Sequence, residues 1–137
     1  SHLLCLNLLE RAQVRDWLAT APIYASPARY EPFGLGALEA ALSGCALVLG
    51  DIPTLRELWS DAALFVQPDD HDGLLAVLAD LIERPSLRES FGRAARARGL
   101  AYSLEPMTQG YLEAYADAAA GRPLQGEAAA WPAAAAD

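Results

Sequence analysis

Residues 46–49 read Ala-Leu-Val-Leu, with Gly44 just upstream and the turn Asp51-Ile52-Pro53 just downstream. A strand that is apolar at every position is buried on both faces, as inner strands of parallel sheets are when helices cover both sides. Similar short runs occur at Leu3–Leu6, Ile23–Ala25 and Ala63–Val66. The segments between them carry helical signals. Within Glu10–Ala19, Val14, Trp17 and Leu18 fall at i, i+3 and i+4. Pro32 suits a first helical position, and that helix would stop at Gly44. Thr54 with Glu57 three residues on reads as a capping box.

Beyond His71 the pattern is helical throughout. Leu74, Leu75, Leu78, Leu81 and Ile82 mark one helix, and Arg84-Pro85 breaks it. Ser86–Leu100 is a second, with Arg93, Arg96 and Arg98 on a solvated side; Leu104–Ala119 is a third, carrying Met107, Leu112 and Tyr115. The order β-α-β-α-β-α-β followed by helices predicts an α/β fold, a Rossmann-like parallel sheet with flanking helices. Residues 1–119 form the expected domain. Residues 120–137 are rich in Ala, Gly and Pro and are expected to be a mobile tail.

Composition removes several function classes. The chain has 137 residues, 53% of them hydrophobic, and a net charge of −8; its ten basic residues are all Arg. Nothing resembles a basic stripe, so no nucleic acid or anionic membrane surface is expected as partner. Cys5 and Cys45 lie in apolar runs and read as small core residues. His2 and His71 are far apart, and no Cys/His set has zinc spacing, so no metal site is expected. Asp69-Asp70-His71-Asp72 reads as a turn and helix start rather than as ligands. Trp17 and Trp59 read as core or interface aromatics, and Trp131 falls in the tail. No apolar stretch reaches membrane-spanning length and no signal peptide is visible, which points to a reduced, cytoplasmic protein.

In open parallel sheets, ligands bind at the carboxyl ends of strands beside helix N-termini. That selects residues 26–36 and 50–54. The first loop, Ser26-Pro-Ala-Arg-Tyr-Glu-Pro-Phe-Gly-Leu-Gly36, leads from a strand into a helix whose unpaired N–H groups suit a phosphate. Glu31 precedes the helix and Glu39 lies within it; eight residues at helical rise span about 12 Å. Glu39 is the only charge between Pro32 and Gly50 and falls at the edge of a Leu face. It has either a ligand to hold or an Arg or solvent to reach.

Glu31-Pro-Phe-Gly-Leu with Glu39 resembles the E-x7-E motif of the large retaining glycosyltransferase family of the two-Rossmann-domain (GT-B) type. The likeness extends to Ser26–Tyr30, Glu39–Val48, Asp61–Asp70 and Pro85–Tyr102, and covers roughly residues 10–115. It implies the C-terminal, nucleotide-sugar-binding part of such a fold. Glu31 would bind donor-sugar hydroxyls and act in catalysis. The backbone N–H groups of Phe33, Gly34 and Leu35 would face the sugar and diphosphate, and Glu39 would accept from the ribose. The only small molecule implied is the nucleotide diphosphate sugar, with no metal and no other cofactor. The resemblance also implies an acceptor and an N-terminal acceptor-binding domain of a longer chain, so this chain alone is expected to have little activity. It departs from the family at Asp51-Ile52-Pro53-Thr54, where a glycine pair is usual, and in lacking the Arg and Lys carried on earlier strands. Two other function classes stand beside this one: a glycosidase using Glu31 and Glu39, whose carboxyls would sit about 5–10 Å apart, and a non-catalytic interaction module.

Overall fold

The computed structural model describes residues 3–102 and 104–122. Its elements are α1 (Arg11–Thr20), β1 (Ile23–Ser26), α2 (Leu35–Ser43), β2 (Ala46–Gly50), α3 (Pro53–Trp59), β3 (Ala63–Val66), α4 (His71–Glu83), α5 (Pro85–Leu100) and α6 (Leu104–Ala119). The three strands form one parallel sheet in the order β1-β2-β3. Ile23 stands opposite Ala46, and Leu47 opposite Ala63. The expected tail beyond residue 122, with Trp131, lies outside the described residues.

β2 is the centre of the core, and every one of its residues is buried. Alternate side chains serve opposite faces. Leu47 and Leu49 pack with Ala40 and Ala41 of α2 and with Leu55 and Trp59 of α3. Ala46 and Val48 pack on the other face with Val66 and Leu81. Each fully buried leucine contributes about 1.5–3 kcal/mol. The run at 46–49 is therefore apolar throughout because both of its sides are covered.

Four expectations are corrected. Leu3–Leu6 is not a strand: residues 3–10 hold no regular element, and Leu3 and Leu4 are exposed. A strand needs a hydrogen-bonded neighbour, and among the described residues none pairs with this segment. Cys5 is exposed rather than in the core, for the same reason. The helix after β1 begins at Leu35, not at Pro32, because Gly34 at its N-cap is left-handed with φ of 80°. The capping box at Thr54 does not form: Pro53 opens α3 and Ile52 is the N-cap, so Thr54 is already inside the helix. Trp59 is buried as expected, whereas Trp17 is 46% exposed.

Cys45 differs from Cys5 in a measurable way. Its thiol donates to the carbonyls of Ala21 at 3.1 Å and Leu18 at 3.5 Å, and burial pushes its pKa up. Thiolate is the reactive form. A disulfide reagent should therefore label one thiol, Cys5, in the native chain, and a second only as the chain unfolds. Rapid native labelling of both would contradict the buried position of Cys45.

Residues through Tyr102 form one compact unit and those after it a second. Within the second, α6 keeps its expected span, and Tyr111 and Tyr115 stack with ring centroids 6.4 Å apart. No helix among the described residues is long and apolar enough to cross a membrane.

Candidate functional site

The loop from β1 to α2 passes over the carboxyl end of β2. At Gly50 an added β-carbon would stand 2.2 Å from the carbonyl oxygen of Ala28, so no side chain fits there. Farther along, Arg29 pairs with Asp69 in the turn after β3. The backbone carbonyl of Glu31 accepts a hydrogen bond from Thr54 Oγ1 at 2.7 Å. The ring of Phe33 meets Tyr102 edge-on at 6.2 Å, and Tyr102 lies 6.0 Å from Trp59. The loop is thus fixed to β2, α3 and the end of α5.

The carboxylate of Glu31 folds back: Oε1 accepts the N–H of Gly34 at 2.9 Å. Of the three N–H groups expected to face a ligand, that of Gly34 is therefore engaged by Glu31 itself. The left-handed backbone at Gly34 would cost another residue about 1–2 kcal/mol. No side chain caps the start of α2, and no acidic residue lies in its first turn. The N–H groups of Leu35, Gly36 and Ala37 have no intrahelical acceptor and carry the positive end of the helix dipole. Because residues 31–34 are not helical, the 12 Å estimate from helical rise does not apply to this loop.

Glu39 sits on the second turn of α2, half exposed, with Arg11 Nη2 3.8 Å away. Solvent and an Arg both reach it. An exposed pair of this kind is worth at most about 1 kcal/mol, so Arg11 holds Glu39 only weakly. Glu39 and Arg11 rim a groove of about 540 Å³ between α1 and α2 with an apolar floor that includes Leu9, Val14, Leu18 and Leu42. That volume is within the range of small-molecule sites.

Tyr24 approaches from the sheet. Its hydroxyl oxygen lies 2.6 Å from where a β-carbon on Gly36 would stand. Burial raises the Tyr24 pKa, the Ser26 hydroxyl opposes the rise, and the carboxylates of Glu31 and Glu39 each add to it. Sequence reasoning did not single out Tyr24. Its alternation with Ile23 and Ala25 on β1 does put it on the face that α2 covers.

The neighbouring loop is closed by its own contacts. Asp51 accepts from Arg56 at 2.5 and 2.8 Å and from Gln67 at 3.1 Å. The bond from Arg56 is the main reason the Asp51 carboxyl is held below its usual range. Arg56 in turn lies 4.4 Å above the ring of Phe65. Asp70 Oδ1 accepts the Gly73 N–H at 2.8 Å and caps α4. Among the described residues no group of three His, Cys, Asp or Glu is disposed to hold a metal. Arg98 is not merely solvated: it donates to the carbonyls of Leu58 at 2.8 Å and Glu57 at 3.4 Å, at the end of α3.

A parallel sheet covered on both faces, with a loop and an uncapped helix start at its carboxyl edge, defines the Rossmann-like class. The chain matches sucrose-phosphate synthase from Thermosynechococcus elongatus with a TM-score of 0.75 at 22% identity, covering 85% of this chain and 30% of that one. That likeness shows the fold, part of a GT-B architecture. Residues 2–98 match the family model "Glycosyl transferases group 1", and the chain belongs to that family. It is 32% identical over 119 residues to D-inositol 3-phosphate glycosyltransferase of Xylanimonas cellulosilytica, covering 85% of this chain and 28% of that protein. To O-antigen chain mannosyltransferase B of Escherichia coli it is 36% identical over 101 residues, covering 71% and 26%. The chain thus spans between 26% and 28% of the length of these two relatives.

Proposed function

We propose that this chain is the donor-binding part of a retaining, metal-independent glycosyltransferase that moves a sugar from a nucleotide diphosphate to an acceptor. Glu31 holds hydroxyls of the donor sugar and Glu39 those of the ribose. The base enters the groove between α1 and α2, and the diphosphate rests at the first turn of α2. The observation that carries this reading is the disposition of Glu31 and Glu39 about one helix start that no side chain caps, Glu31 on the Gly34 N–H and Glu39 on the second turn beside the groove between α1 and α2. Free N–H groups and a helix dipole stabilise the charge that develops on a departing diphosphate. The acceptor side belongs to an N-terminal domain of a longer cytoplasmic enzyme, so this chain by itself turns over no donor.

A thermal-shift comparison of UDP-, GDP- and ADP-glucose tests the reading. A ligand at 100 times its Kd stabilises the fold that binds it by about 2.7 kcal/mol. At least one of the three should raise the melting temperature, and Glu39→Ala should abolish that rise. No rise with any of them rejects the donor site.

A further inference from the structure

The stretch Asp51–Thr54 has no part in the two-carboxylate reading, yet α3 touches the turn that carries Glu31 at two consecutive residues, Thr54 and Leu55. We propose that Thr54 is a positioning residue for the sugar end of the donor: by holding the Glu31 carbonyl, its hydroxyl fixes where the Glu31 carboxylate stands. The proposal rests on the donor-site reading and adds to it the residue that sets affinity for the sugar, apart from affinity for the nucleotide.

Three observations carry it. Thr54 Oγ1 donates to the backbone carbonyl of Glu31 at 2.7 Å, and Glu31 Oε1 accepts the Gly34 N–H at 2.9 Å. Glu31 is thus tied at its root and at its tip. Among the described residues nothing donates to its other oxygen, Oε2, which is left for a hydroxyl. Leu55, the next residue of α3, is buried and supports the far end of the turn: a β-carbon on Gly34 would stand 3.2 Å from its Cδ2. α3 is itself held in place. Arg56 donates to both carboxylate oxygens of Asp51 at the exit of β2, and Trp59 is buried in the core. A carboxylate fixed beforehand accepts a sugar hydroxyl without surrendering rotamer freedom at that moment. Without the Thr54 hydroxyl the carbonyl turns to water, and the residue that carries the carboxylate loses its anchor on α3.

Calorimetric titration tests the role. Whichever of UDP-, GDP- and ADP-glucose binds the wild-type chain is titrated beside its own nucleoside diphosphate. Thr54→Val keeps the branched shape and removes the hydroxyl. It should weaken the nucleotide sugar by about fivefold, the worth of one neutral hydrogen bond, and leave the diphosphate unchanged. Thr54→Ser keeps the hydroxyl and should bind both ligands as the wild type does. Equal weakening of both ligands, no weakening of either, or a serine variant as poor as the valine one overturns the role. A double-mutant cycle shows whether Thr54 acts through Glu31. In a Glu31→Ala chain, Thr54→Val should bring no further selective loss of the nucleotide sugar. A further loss there would put Thr54 on the ligand itself and overturn its action through Glu31. Failure of all three nucleotide sugars to bind the wild-type chain would instead sink the donor reading on which the role depends.

Discussion

Gly50→Ala should destabilise the chain by about 3 kcal/mol, the upper end of the usual cost of overpacking, and should loosen the loop that carries Glu31. The added methyl meets not a flexible side chain but the backbone of Ala28: its carbonyl oxygen at 2.2 Å and its nitrogen at 3.0 Å. β2 cannot retreat, because its residues are buried on both faces. The loop must therefore lift, and the contacts of Arg29 with Asp69 and of Thr54 with Glu31 weaken with it. Urea denaturation reads the stability, and limited trypsin digestion at Arg29 reads the loop. Gly44→Ala is the control. Its backbone is left-handed at φ of 89°, with nothing within 4 Å of the added atom. It should cost only about 1–2 kcal/mol, with no new cleavage at Arg29. Equal stability of the Gly50→Ala and wild-type chains would mean that the loop does not cross β2 as described.

In an intact enzyme carrying this segment, Glu31→Ala should lower kcat by about a hundredfold or more, the scale for losing one stabilising contact in a transition state. Glu31 also has a local duty, since its carboxylate accepts the Gly34 N–H. Two variants separate the roles. Glu31→Gln keeps an oxygen for Gly34 and should melt like the wild type, yet still lose turnover with the charge. Glu31→Ala loses that hydrogen bond as well, which costs about 1 kcal/mol. Normal turnover in the Gln variant with a slow Ala variant would leave Glu31 only the structural duty of holding the Gly34 N–H. Wild-type rates in both would remove it from the chemistry.

Much of the fold was legible because burial writes itself into strands. The apolar runs at 23–25, 46–49 and 63–66 all fall on strands, and the breaks at Gly44 and Arg84-Pro85 fall where helices end or begin. Two of the misreadings, at Leu3–Leu6 and Arg98, turn on partners distant in sequence, and a third, at Pro32, on the local geometry of its own loop. Leu3–Leu6 has strand composition, but composition does not say whether a neighbour is present. Pro32 has the chemistry of a helix start, but the carboxylate of Glu31 and the left-handed Gly34 set the start later. Arg98 looked solvated on a helical wheel, because the carbonyls of Glu57 and Leu58 belong to another helix. At the site, the spacing of Glu31 and Glu39 was readable. Tyr24 was not, because strand alternation gives the face of a residue and not how far its hydroxyl reaches.

The turn holding Glu31 and Phe33 is braced like a tripod: Ala28 on β2, the Glu31 carbonyl on α3, and Phe33 against Tyr102. A segment held at three points has little freedom left to surrender when a ligand arrives. On the donor-site reading proposed above, such a mouth selects by shape fixed beforehand and not by refolding around its guest. Altered preference among ligands would then come from exchanging individual side chains on the groove walls, with the turn itself left as it is.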